Sequence, residues 1–273
     1  MQPIGVFDSG IGGLSVLKAL RTELPGERFI YIADSGHAPY GERDDAHVTE
    51  RSLRLADYLH RRNIKALVVA CNTATAAAID ALRLTYPQLP VIGVEPALKP
   101  AAAMSRKHCV AVMATRSTLG SARFAALLAA QGSHTRFVAM PGDGLAEAIE
   151  QAVQGSKTAE VMAACRRIIG AAIDLTAQPA LANATSPFDT LVLGCTHYPF
   201  AADHIAALLG PGVQLLDTGE AVARQTRQRL GLTALPQNGS AEVDLISTGN
   251  PTALRAAASS WLGLHTVVTT LAI

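Results

Sequence analysis

The chain has 273 residues, 49% of them hydrophobic, and a formal net charge of +1. That length and apolar content support a globular protein with two modest domains or one large one. Its basic clusters, HRRN at 60–63, SRKH at 105–108 and CRR at 165–167, are short, scattered and poor in aromatics. They read as solvated helix ends and argue against nucleic acid as the main partner.

The N-terminal MQPIGVFDSGIGG lacks a basic segment leading into an apolar core, and no apolar run approaches the roughly 18 residues of a membrane helix. A cytoplasmic protein with no membrane partner is the expectation. Four cysteines, at 71, 109, 165 and 195, lie far apart, with no C-x-x-C and no zinc-like Cys/His spacing. In a reducing compartment they are thiols, and no metal site is expected.

Along the chain, short apolar runs alternate with amphipathic stretches, the signature of βα units and a mostly parallel sheet. Strands are predicted near 3–7, 28–33, 65–70 and 90–94. A second series follows near 108–113, 135–139 and 189–194, and two more runs, near 213–216 and 242–247, each precede a helix. VEPALKPAAA, with two prolines around a turn, marks a crossing between two α/β halves. TAQPALANATSPF at 176–188 reads as a surface insertion.

Ligands of parallel sheets gather at the carboxyl ends of strands. The first such loop is FDSGIGGLSVL. Ser15 stands where a dinucleotide fingerprint wants its third glycine, which argues against that use. Asp8 and Ser9 directly follow the strand, where a carboxylate can hold an ammonium group; an Asp cap on a glycine turn explains the same residues. The second loop, ADSGHAPYGERD, is long enough to cover a site and fits a plain surface loop equally well.

The third and fourth loops share a pattern. LVVACNTATA and LVLGCTHYPF each end an apolar run with a cysteine, Cys71 and Cys195, followed by Asn/Thr or Thr/His at a helix start. A lone cysteine there is ordinary core filler, as Cys109 and Cys165 are read to be. Two at equivalent places point to chemistry, because helix N-termini and nearby donors favour thiolate. If the halves face each other, one thiolate can take a proton from one face of a carbon while the other thiol delivers one to the opposite face. That inverts the centre, as a racemase or epimerase does. Backbone donors at 72–73 and 196–197 would hold the substrate carboxylate. A nucleophilic Cys–His hydrolase is the rival, but Cys195 and His197 are too close in sequence to pair without a special turn, and it leaves Cys71 idle.

These motifs, with PYG, GVEP, DTGEAVAR and STGNPTAL…WLG, run the length of the chain. In this order they resemble the glutamate racemases of the cofactor-independent aspartate/glutamate racemase superfamily. The resemblance implies two pseudo-symmetric α/β domains, residues 1–97 with 208–273 and residues 98–207, with the active site at their interface. It implies Cys71 and Cys195 as the acid/base pair, assisted by Asp8 and His197 respectively. Asp8, Ser9, Tyr40, Gly41, Asn72, Thr73, Thr196 and His197 would line the pocket. An acidic residue supporting His197 is expected in AMPGDGLAEAIE, where Glu150 is preferred to Glu147. The implied substrate is L-glutamate, converted without cofactor to D-glutamate for peptidoglycan. Aspartate or another amino acid as substrate, and a non-catalytic regulator on the same fold, are the alternatives; a symmetric homodimer is expected on frequency alone.

Overall fold

The computed structural model describes residues 2–153, 158–173, 186–232 and 241–273. In chain order it has β1 Ile4–Asp8, α1 Leu14–Glu23, β2 Phe29–Ala33, α2 Asp45–Arg61, β3 Ala66–Val69, α3 Asn72–Thr85 and β4 Val91–Gly93. There follow α4 Leu98–Met104, β5 Cys109–Ala114, α5 Arg116–Gly120, α6 Ala122–Ala129, β6 Arg136–Pro141, α7 Leu145–Ala152 and α8 Thr158–Ile173. Then come β7 Thr190–Leu193, α9 Ala202–Leu209, β8 Gln214–Leu216, α10 Gly219–Arg229, β9 Val243–Ser247, α11 Pro251–Leu262 and β10 Val268–Thr270.

Two compact units emerge, residues 1–95 with 218–273 and residues 96–217. The second boundary lies beyond the expected 207/208. That position falls inside α9, and β8 pairs in parallel with β7 and so belongs to the same sheet.

The first unit holds a six-stranded sheet, β10-β9-β2-β1-β3-β4, and the second a four-stranded one, β6-β5-β7-β8. Every described pairing is parallel, as continuous apolar runs require. The central strands β1, β2 and β3 are buried along their whole length. Each unit repeats one topology: its second, first, third and fourth strands lie side by side in that order. The third strands, β3 and β7, lead directly into the segments that carry Cys71 and Cys195.

Helices earn their place by spacing. On α2, Val48, Arg51, Ser52, Leu55, Ala56 and Leu59 recur at three- and four-residue intervals and are buried together. Asp44 caps that helix by accepting from the His47 amide at 2.7 Å. On α11, Asn250 caps the start ahead of Pro251, and Gly263 ends it at φ 65°. The short parallel strand β10 escaped the sequence reading because it has only three residues, none of them buried. Residues 176–185 of the expected insertion lie outside the described residues. Among the described residues no helix is long and apolar enough to cross a membrane.

Candidate active site

In the first unit, β3 delivers Cys71 to the N-terminus of α3. The Cys71 sulfur is the capping acceptor, taking the Ala74 amide at 3.5 Å, at the positive end of a 14-residue helix where an anion is stabilised. Its thiol donates to Ser9 Oγ at 3.8 Å. Ser9 Oγ in turn donates to Asp8 Oδ1 at 3.4 Å.

Asp8 is fully buried, and it accepts the Ser9 amide at 2.8 Å and the Gly13 amide at 2.5 Å. The capping reading of the first loop holds. Asp8 organises the glycine turn, and through Ser9 the same carboxylate is linked to Cys71. Gly13 has an ordinary helical φ of −61°, so space is what demands glycine there: a Cβ would lie 2.7 Å from Asp8 Cβ and 2.9 Å from Tyr31 Oη.

Asn72 and Thr73 open α3, both buried. The Oδ1 of Asn72 is buried with no hydrogen-bond partner among the described residues. A buried acceptor in that condition is rare in native proteins and is ordinarily completed by a ligand or water.

Tyr40 sits in the 3-10 turn Tyr40–Glu42, is 1% exposed and donates to Asp34 Oδ2 at 2.5 Å. Gly41 beside it is half-buried. Asp34 was not singled out by the sequence reading, yet it is the hub of this loop. Arg51 grips it bidentately, Nε to Oδ2 at 3.0 Å and Nη2 to Oδ1 at 2.8 Å. Thr248, after β9, donates to Oδ1 at 2.7 Å. Burial alone raises the Asp34 pKa, but hydrogen bonds from Arg51, Tyr40 and Thr248 and the Arg51 charge outweigh it and hold the carboxyl below its ordinary value. Burial, aided by the charges of Asp34 and Cys71, drives the Tyr40 hydroxyl well up, so it stays a neutral donor. Two signals in the sequence pointed here. ADSG after β2 repeats the DSG after β1, and Arg51 interrupts the apolar face of α2 at core spacing.

In the second unit, β7 leads through Gly194 to Cys195 in a tight turn, the Tyr198 amide bonding to the Cys195 carbonyl at 3.1 Å. This is the special turn that Cys195 and His197 need in order to meet, and they do: Sγ lies 3.7 Å from His197 Nδ1. A 3-10 turn, Tyr198–Ala201, comes before α9, so Cys195 does not cap an α-helix as Cys71 does.

The other ring nitrogen, Nε2, is 2.7 Å from Glu150 Oε1 on α7. Glu147 instead accepts from Gln151 at 3.0 Å. Burial by itself lowers the His197 pKa; hydrogen bonds to Cys195 and Glu150, with their negative charges, more than reverse that and hold it well above the ordinary imidazole value. An imidazolium there donates at both ends. Thr196 is buried between Cys195 and His197.

Each unit thus holds a buried thiol at the end of its third strand with polar support of its own. A family model, Asp/Glu/Hydantoin racemase, matches residues 4–226 of the chain.

The chain belongs to the Asp/Glu/Hydantoin racemase family.

Among curated members of this family, the glutamate racemase of Ectopseudomonas mendocina is 49% identical over 230 residues, covering 84% of this chain and 82% of its own. The structure of Escherichia coli glutamate racemase, in complex with L-glutamate and the activator UDP-MurNAc-Ala, superposes with a TM-score of 0.83 at 30% identity. It covers 100% of this chain and 99% of its own. That of Francisella tularensis glutamate racemase, in complex with D-glutamate, gives a TM-score of 0.78 at 28% identity, with coverage of 100% and 97%. Family membership agrees with the racemase expectation and with the parallel α/β architecture.

Proposed function

We propose that this chain is a glutamate racemase that interconverts L- and D-glutamate by two-base proton transfer between Cys71 and Cys195. The observation that carries the reading is the repeated topology: two buried thiols stand at equivalent strand ends of two units. The names and ligands of the relatives support glutamate as the substrate.

In the proposed reaction one cysteine, as thiolate, takes the α-proton, and the other, as thiol, delivers a proton to the opposite face of the same carbon. Atoms and charge balance without cofactor or metal, the two sulfurs exchanging protonation states in each turnover. Backbone donors at 72–73 and 196–197 hold the α-carboxylate and ease charge development at the carbon beside it. The buried Asn72 Oδ1 takes a donor from the substrate ammonium. Asp8, through Ser9, supports the Cys71 sulfur, and the Glu150–His197 pair supports Cys195. Tyr40 acts through its ring, with Gly41 beside it, since its hydroxyl is committed to Asp34.

The hydrolase rival gains a Cys195–His197 contact from the turn, but it still gives Cys71 no task. Placement in the cytoplasm, supply of D-glutamate to peptidoglycan and a homodimeric state complete the reading.

The test is incubation in deuterated water with pure L- or D-glutamate and, in parallel, L-aspartate, with no cofactor added. Circular dichroism and α-deuterium are followed together. Glutamate should racemise from either side with deuterium at the α-carbon. Absence of exchange from glutamate would overturn the proposal, and faster turnover of aspartate would reassign the substrate.

A further inference from the structure

We propose that Tyr198 is a positioning residue that keeps Glu150 on His197 and thereby sets how well Cys195 transfers protons. The proposal rests on the racemase reading above. Tyr198 directly follows His197, is fully buried, and donates from its hydroxyl to the Gly142 carbonyl at 3.2 Å.

That carbonyl also accepts the Leu145 amide at 3.2 Å, so it closes the turn from which α7 begins. Glu150 sits on the second turn of the same helix. The Cys195–His197 turn and α7 are therefore joined twice: Tyr198 to Gly142 before the helix starts, and His197 to Glu150 within it.

The two segments approach closely at this point. A Cβ at position 142 would lie 2.0 Å from the Tyr198 oxygen. On its other side the Gly142 amide bonds to Ala114 O at 2.9 Å, extending the pairing of β6 with β5. Neighbouring Asp143 is held by Arg116, Nε to Oδ1 at 3.0 Å and Nη2 to Oδ2 at 2.6 Å, and its carbonyl takes Arg167 Nη2. The start of α7 is thus fastened to the sheet and to two arginines, and Tyr198 ties this assembly to the Cys195–His197 turn. A displacement of about 1 Å is enough to take a hydrogen bond out of its working range, so loosening this tie weakens the 2.7 Å contact of Glu150 with His197.

The experiment compares wild type, Tyr198→Phe, which keeps the ring and removes one oxygen, and Gly142→Ala, which forces the two segments apart. Rates are measured in both directions with protiated and α-deuterated L- and D-glutamate, with Tm as the fold readout. The two enantiomers have equal free energy, so kcat/KM must fall by the same factor in both directions. For Tyr198→Phe that factor is about five, the value of one neutral hydrogen bond.

The discriminating readout is the isotope effect. Slower transfer at Cys195 raises the α-deuterium effect in the direction where Cys195 removes the proton and lowers it in the other. Gly142→Ala should displace both effects in the same sense and further. A rate loss with unchanged isotope effects in both variants would assign Tyr198 to packing alone, and wild-type rates in both would leave it no role; either overturns the proposal. Should Gly142→Ala fail to fold, Tyr198→Phe decides by itself. A wild type that does not racemise glutamate refutes the underlying reading instead, whereas a racemising wild type with insensitive variants refutes this proposal only.

Discussion

The Cys71 and Cys195 segments occupy the same topological station and solve it with different chemistry. Cys71 caps a 14-residue helix and is supported by the Ala74 amide, Ser9 and, through it, Asp8. Cys195 has no α-helix directly after it and meets an imidazole that is itself held by a carboxylate. One sulfur sits at a helix dipole, the other beside a titratable ring. A repeated fold delivers equivalent positions; the loops that follow the strands set the electrostatics.

The test with the largest expected effect is removal of each sulfur in turn. Cys71→Ser and Cys195→Ser should each lower racemisation about 10²- to 10⁴-fold, the usual worth of a positioned acid or base. Each should retain α-proton exchange from one enantiomer, the opposite one in the two variants. Equal exchange from both enantiomers would erase the division of labour between the halves.

Next comes the charged support of the first unit. Arg51→Met strips the partner from a buried carboxylate and should cost about 3–5 kcal/mol of stability, measured by denaturant unfolding. The Asp34 pKa is depressed, so its ion pair contributes stability above the ordinary carboxylate range and loses it as pH falls through the folded value. The acid limb of the wild-type stability curve should therefore flatten in Arg51→Met. An unchanged limb would show that Asp34 does not need the guanidinium.

Glu150→Gln examines the second unit. Losing one charge-assisted hydrogen bond should slow kcat/KM by about ten- to a hundredfold. The His197 pKa is raised in the folded protein, so its contribution to stability is complete below the ordinary imidazole value and disappears as pH rises through the elevated one. Without the carboxylate that upper transition should move to lower pH. A pH profile identical to wild type would detach Glu150 from the ring.

The smallest change, Thr248→Val, removes one donor from Asp34. It should cost about 1 kcal/mol, or about 2–4 °C in Tm at this chain length. Isotope effects attributed to Cys195 should remain as in wild type; a shift in them would mean that the halves are not supported independently.

Where most strands lie along the chain was readable in advance, because a parallel sheet buried on both faces demands continuous apolar runs. The runs at 3–7, 28–33 and 65–70 became Ile4–Asp8, Phe29–Ala33 and Ala66–Val69. β10 was not readable, since three partly exposed residues carry no such demand. At the candidate site, Asp8, Ser9, Asn72 and His197 were legible as candidates from their places at strand ends and from the family resemblance. Asp34, Arg51, Thr248, Tyr198 and Gly142 were not, since each matters through a partner distant in sequence.

By itself, then, the sequence determined the alternation of strands and helices, the two strand-end cysteines and the family to which they belong, all of which are local patterns of residue type and spacing. Tertiary structure decided that Arg51 neutralises Asp34, that Glu150 and not Glu147 reaches His197, and that Cys195 and His197 meet around a turn. Hydrogen bonds and ion pairs depend on distances of about 3 Å between groups, and only the packed chain brings those groups within that range.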